Sequence, residues 1–121
     1  MMKHEELTKR IIGVCFEVIN ELGSGFLESV YQKALTLALR QAGFSVVEQQ
    51  RLEVIFRGEI VGVFLADMIV DSKVLIEVKA MQGLRPEHQA QVINDLKATG
   101  LDVGLLVNFG RPKLEFKRLH R

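Results

Sequence analysis

A chain of 121 residues, 48% hydrophobic and 26% charged, carries enough apolar material to bury a core of its own, and one domain spanning residues 1–121 is expected. A net charge of +1 excludes the basic excess of a general polyanion binder, and a single cysteine excludes an internal disulfide framework. The N-terminus lacks signal-peptide form and no apolar run reaches membrane-spanning length, so a cytoplasmic protein without membrane contact is expected.

From about Glu5 to Leu22, apolar residues Leu7, Ile11, Val14, Cys15, Val18 and Leu22 recur at spacings of three and four, which predicts a helix with one buried stripe. Cys15 lies within that stripe and reads as a buried, inert thiol. Gly23-Ser24-Gly25 breaks the helix, and a second is predicted from about Phe26 to Ala42, ended by a left-handed Gly43. The period then changes to two. VVEQQRLEVIF and EIVGVFLADMIV read as strands joined at Arg57-Gly58-Glu59, and KVLIEVKA follows Asp71-Ser72, which gives an antiparallel meander. Pro86 suits the first turn of a third helix that ends at Thr99-Gly100. LDVGLLVNF reads as an interior strand covered on both faces, and KLEFKRL as a short edge strand. The order α-α-β-β-β-α-β-β is that of an α/β fold, a mixed sheet of about five strands flanked by helices.

Three ionisable groups, Asp67, Glu77 and Lys79, fall inside strands rather than at their ends. Burying them is costly unless they are paired or bind a metal. Alternation puts Leu75, Glu77 and Lys79 on one face, but whether Asp67 joins them depends on the turn. A two-residue loop of Ser72 and Lys73 sets Glu77 opposite Met68, whereas a three-residue loop centred on Ser72 sets it opposite Asp67. In the second register the two carboxylates repel unless a cation lies between them, and such an oxygen-rich pair suits Mg²⁺. Solvent-facing charges on a half-exposed strand are the competing reading. The apolar flanks, including Phe64, Leu65 and Ile69, and a helix from Pro86 that must cover one sheet face, argue for burial.

Asp67, nine residues, then Glu77-Val78-Lys79, following two helices, resembles the D…ExK signature of the PD-(D/E)XK nuclease superfamily. The chain as a whole is similar to its small GxxExxY group, through Gly25-Phe26-Leu27-Glu28-Ser29-Val30-Tyr31, IEVKA, HQAQVINDLKATG and VGLLVNFG. The resemblance implies a restriction-endonuclease-like core and hydrolysis of phosphodiester bonds in nucleic acid, DNA above all. It implies Mg²⁺, with Mn²⁺ as a substitute, held by Asp67, Glu77 and the Val78 carbonyl. It also implies Lys79 as the catalytic lysine, with Glu28 and Gln91 completing the site. Two positions depart from the pattern: Ile19 stands where a histidine is expected, and Asp95 where an aromatic is usual.

Other residues carry plainer readings. Tyr31, one turn after Glu28, is expected to be a core residue whose hydroxyl bonds that carboxylate. His88 has no partner at metal-ligand spacing, and Gly23 and Gly25 read as turn residues rather than a phosphate cradle. The C-terminal segment from Arg111 to Arg121 is basic but reads as a solvated end. Against the nuclease stands a non-catalytic module that binds nucleic acid or protein on the same fold. A chain this short has little surface to wrap a duplex, so a homodimer or a protein partner is expected for catalysis.

Overall fold

The computed structural model describes residues 2–121. Helices α1 (Glu5–Leu22) and α2 (Glu28–Gln41) precede β1 (Val46–Phe56), β2 (Glu59–Val70) and β3 (Val74–Lys79), and α3 (Pro86–Thr99), β4 (Val103–Asn108) and β5 (Glu115–His120) follow. The element order matches the sequence expectation. The five strands form one sheet in chain order, and only β3 and β4 run parallel, with α3 as the crossover between them.

Two apolar clusters sandwich the sheet. Ile11, Cys15, Tyr31, Leu35 and Leu39 of α1 and α2 pack on Met68, Val70, Ile76 and Val78 from one side. On the other side, Val92 and Leu96 of α3 pack on Leu75 and Leu106. Every residue of β4 is buried, as its unbroken apolar run predicts, and β5 forms an edge. Gly43 takes φ 95° behind α2, where its N–H and that of Phe44 bond the Arg40 and Leu39 carbonyls, so the helix ends as expected.

The start of α2 differs from the expectation. Gly23 (φ 71°) and Gly25 (φ 114°) bend the chain in conformations open to glycine, and Leu27 is still extended, which delays the helix to Glu28. The bend hangs on Tyr31, whose hydroxyl donates to the Gly23 carbonyl (2.6 Å) and accepts from the Phe26 N–H (3.2 Å). That hydroxyl therefore fixes the turn and does not bond Glu28, contrary to the sequence reading.

The turn between β2 and β3 takes the three-residue form. Asp71 and Ser72 both have positive φ (51° and 56°), and Val70 pairs with Val74, Ile69 with Leu75 and Met68 with Ile76. Between β1 and β2 the turn is the two-residue pair Arg57-Gly58, both at positive φ, which suits a tight hairpin.

A second irregularity lies at Gln49, which has φ 49° and interrupts the β1–β2 ladder opposite Asp67. On the near side of it, Val46, Met68 and Val70 join the α1/α2 cluster. On the far side, Leu52 and Ala66, which share their parity, join the α3 cluster. The strand pair thus changes which face it offers at this point. Beyond it the hairpin extends as an arm past the last β2–β3 pair, and Phe64 and Leu65 are 47% and 58% exposed. Phe64 lies beside Leu52 on the side that faces α3, where it borders a cleft against Asn94, Lys97 and Ala98, and Leu65 lies on the opposite side, so the sequence reading that these two are covered is wrong.

Behind β3 the chain is held by Asn108, which is fully buried. Its side-chain oxygen accepts from the N–H groups of Met81 and Gly110, and its amide donates to the Met81 carbonyl and to Glu115.

Candidate active site

At the observed register Asp67 lies across from Glu77, but main-chain pairing stops one residue earlier, at Met68 and Ile76. The Asp67 Oδ2 atom continues the tether by accepting the Val78 N–H at 2.7 Å. The side chain thus replaces a ladder bond where the strands part, and its position is fixed by that bond.

Glu77 follows Leu75 toward α3 and is only 5% exposed. Burial and the nearby carboxyls of Asp67 and Asp95 push it up to about 10, so the metal-free protein holds it as the neutral acid at pH 7. Its Oε1 atom is buried without a hydrogen-bond partner. Asp95, 3% exposed on α3, is likewise raised, chiefly by burial and further by Asp67, against the opposing effects of Glu77 and Lys79. Asp95 is the residue that sequence reasoning missed as part of the site. Its only signal was the acid at a position where an aromatic is usual.

Lys79 is half-buried at the end of β3, where its carbonyl accepts the Phe109 N–H (2.8 Å). Glu28 stands exposed in the first turn of α2, with its carboxyl raised by partial desolvation and by Asp67 and lowered by Lys79. These effects place Glu28 within electrostatic reach of both strand residues. Asp67 therefore acts electrostatically on Glu77, Asp95 and Glu28, and Lys79 on Glu28 and Asp95, so residues of β2, β3, α2 and α3 influence one another here. Gln91 is exposed on α3 one turn before Asp95. His88 caps α3 by accepting the Arg85 N–H on Nδ1 (3.0 Å), and Ile19 lies in the core of α1.

Among the described residues no three Asp, Glu, His or Cys side chains converge on a point that could hold a metal. A pair of carboxylates with a main-chain carbonyl and waters is the donor set that Mg²⁺ accepts, and the unpartnered Glu77 Oε1 is an acceptor that a cation would satisfy. On that observation the residues fit a hard divalent ion.

A family model described as the PD-(D/E)XK nuclease superfamily matches residues 5–119. The chain belongs to that superfamily. Among solved structures, it is similar to an alkaline exonuclease (LHK-Exo) from Laribacter hongkongensis, with a TM-score of 0.57 and 15% identity over 100% of this chain and 72% of the exonuclease. It is also similar to a protein designated SSO0001, with a TM-score of 0.59 and 17% identity over 77% of this chain and 49% of that one. The chain thus spans about half the length of SSO0001. Likeness at these identities establishes a shared fold, which is that of a restriction-endonuclease-like core. A search of curated proteins returns no match. No helix among the described residues is long and apolar enough to cross a membrane.

Proposed function

We propose that this superfamily member is a nuclease that hydrolyses phosphodiester bonds in DNA with Mg²⁺, for which Mn²⁺ substitutes. The observation that carries the reading is the parting of β2 and β3, where Asp67 lies across from Glu77, a buried Glu77 oxygen has no partner, and Glu28 feels the charges of Asp67 and Lys79. Membership of the GxxExxY group is supported by what its motif does locally. Gly25 and Tyr31 build the bend that sets Glu28 at the head of α2.

In this reading Asp67, Glu77 and the Val78 carbonyl hold the ion. When bound, the ion acts as a Lewis acid on the phosphodiester and eases ionisation of the attacking water. Asp67 is already oriented by the Val78 N–H, and Glu77 must release its proton for the ion to bind. The Lys79 ammonium group offers its charge to the phosphate oxygens as negative charge develops. Glu28, solvent-facing beside Lys79, holds the water or accepts its proton. Gln91 on α3 supplies an amide to the substrate.

The test incubates the purified chain with duplex DNA, single-stranded DNA and RNA, in Mg²⁺, Mn²⁺ or EDTA. Metal-dependent cleavage of DNA is expected, with a fall of roughly 100-fold or more in Lys79→Ala and Asp67→Asn. Binding without cleavage in every metal would replace the proposal with the non-catalytic module. Cleavage that persists in both variants would show that the chemistry lies elsewhere.

A further inference from the structure

The arm formed by β1 and β2 beyond Gln49 has two faces of different character. One face carries Leu52, which is buried in the α3 cluster, and beside it Phe64, which is 47% exposed over a cleft against α3. On the other, the ladder sets Leu65 beside Arg51 and Val63 beside Glu53 and, past a bulge that leaves Val61 without a partner, Ile60 beside Ile55. Ile55, Ile60, Val63 and Leu65 are 56%, 53%, 46% and 58% exposed, and Glu53 and Ile55 reach the edge of the cleft against α3. An antiparallel sheet that faces water on one side ordinarily alternates to polar residues there. Four neighbouring apolar side chains exposed on one face are an interaction surface.

We infer that this face docks against the same face of a second copy of the chain. Charge argues for that occupant. The polar flank is Arg51 and Glu53, an exposed pair joined at 3.1 Å with no net charge, so the face lacks the basic excess that phosphates or an anionic lipid surface would require. A two-fold axis across the arm lays one apolar stripe on the other and brings each Arg51 near the partner copy's Glu53, so the surface is complementary to itself. Area agrees. The four half-exposed side chains with Arg51 and Glu53 offer on the order of 600 Å² per copy, so two copies reach the lower end of stable interfaces, about 1,200 Å² in total. The proposed dimer forms independently of whether the chain cuts nucleic acid.

Sedimentation equilibrium of the full chain from about 1 to 200 µM tests this. The wild type is expected to reach twice the 13.7 kDa chain mass within that range. Val63→Lys/Leu65→Lys, and separately Val63→Thr/Leu65→Thr, which keeps a strand-compatible β-branched shape, should weaken association roughly 50-fold or more. Circular dichroism at the lowest concentration checks that each variant is folded, and the threonine pair decides the matter if the lysine pair does not fold. A wild type that stays monomeric to 200 µM overturns the inference and leaves the face to a different protein. A dimer of unchanged affinity in a folded variant overturns it equally, since the copies would then meet elsewhere.

Discussion

Replacing Glu77 by Gln isolates the electrostatic cost of the site. The carboxyl has an ordinary value of 4.5 and is pushed up to about 10 in the folded chain, first by burial and then by Asp67 and Asp95. A group raised on folding contributes its full stability below the unfolded value and loses it as pH climbs toward the folded one. Between pH 4.5 and pH 7 the metal-free fold therefore loses about 1.4 kcal/mol per unit, on the order of 3 kcal/mol in all, because the unfolded chain ionises and the folded chain does not. Glutamine has no proton to lose, and its amide offers a donor to the neighbouring carboxyls. Glu77→Gln should thus be nearly neutral at pH 4.5 and stabilising by about 3 kcal/mol at pH 7. Urea unfolding of both proteins in EDTA across that range is the assay. A difference that does not grow with pH, or a variant less stable at pH 7, would refute a neutral, uncompensated Glu77.

Three further outcomes rest on separate features. Gly110→Ala should destabilise the fold by about 3 kcal/mol, because a Cβ there overlaps the Met81 backbone rather than a side chain that could move; thermal unfolding reads the loss. Tyr31→Phe keeps the stacking on Phe109 (5.0 Å between centroids) but strips the Gly23 and Phe26 groups of their partner, at a cost of about 1–2 kcal/mol in a denaturant titration. The Cys15 thiol, pushed up to about 12 by burial, should resist a disulfide exchange reagent at pH 8 in the native protein, with labelling only at the rate of unfolding.

The order of the eight elements, the Gly43 terminator and the doubly covered β4 were legible because each depends on local pattern: a period, a cap, an unbroken apolar run. The pairing of Asp67 with Glu77 was legible only as one of two registers. Nothing in Asp71-Ser72-Lys73 demands two consecutive positive φ angles, and the three-residue turn was settled by the fold. Gln49 was invisible for the same reason, since a non-glycine residue at φ 49° carries no signal in its identity. The error over Phe64 and Leu65 has another source. Apolar character reports an exposed position as readily as a buried one: Phe64 opens onto a cleft beside α3, and Leu65 lies on the opposite face. Asp95 was read only as a departure at a position where an aromatic is usual, although a buried acid beside Glu77 alters the charge balance of the site.

The Asn108 bonds have a consequence in time rather than in space. Strand ends fray on fast timescales and their amide protons exchange early. Here the residues after Lys79 are stapled to the far end of β4, and Glu115 extends the staple by accepting the Leu84 N–H (3.1 Å). The Met81 amide should therefore exchange as slowly as the interior of the sheet. The ordering entropy of the segment that carries Lys79 is lost once, when the chain folds, so each encounter with a substrate meets a lysine whose backbone is already fixed.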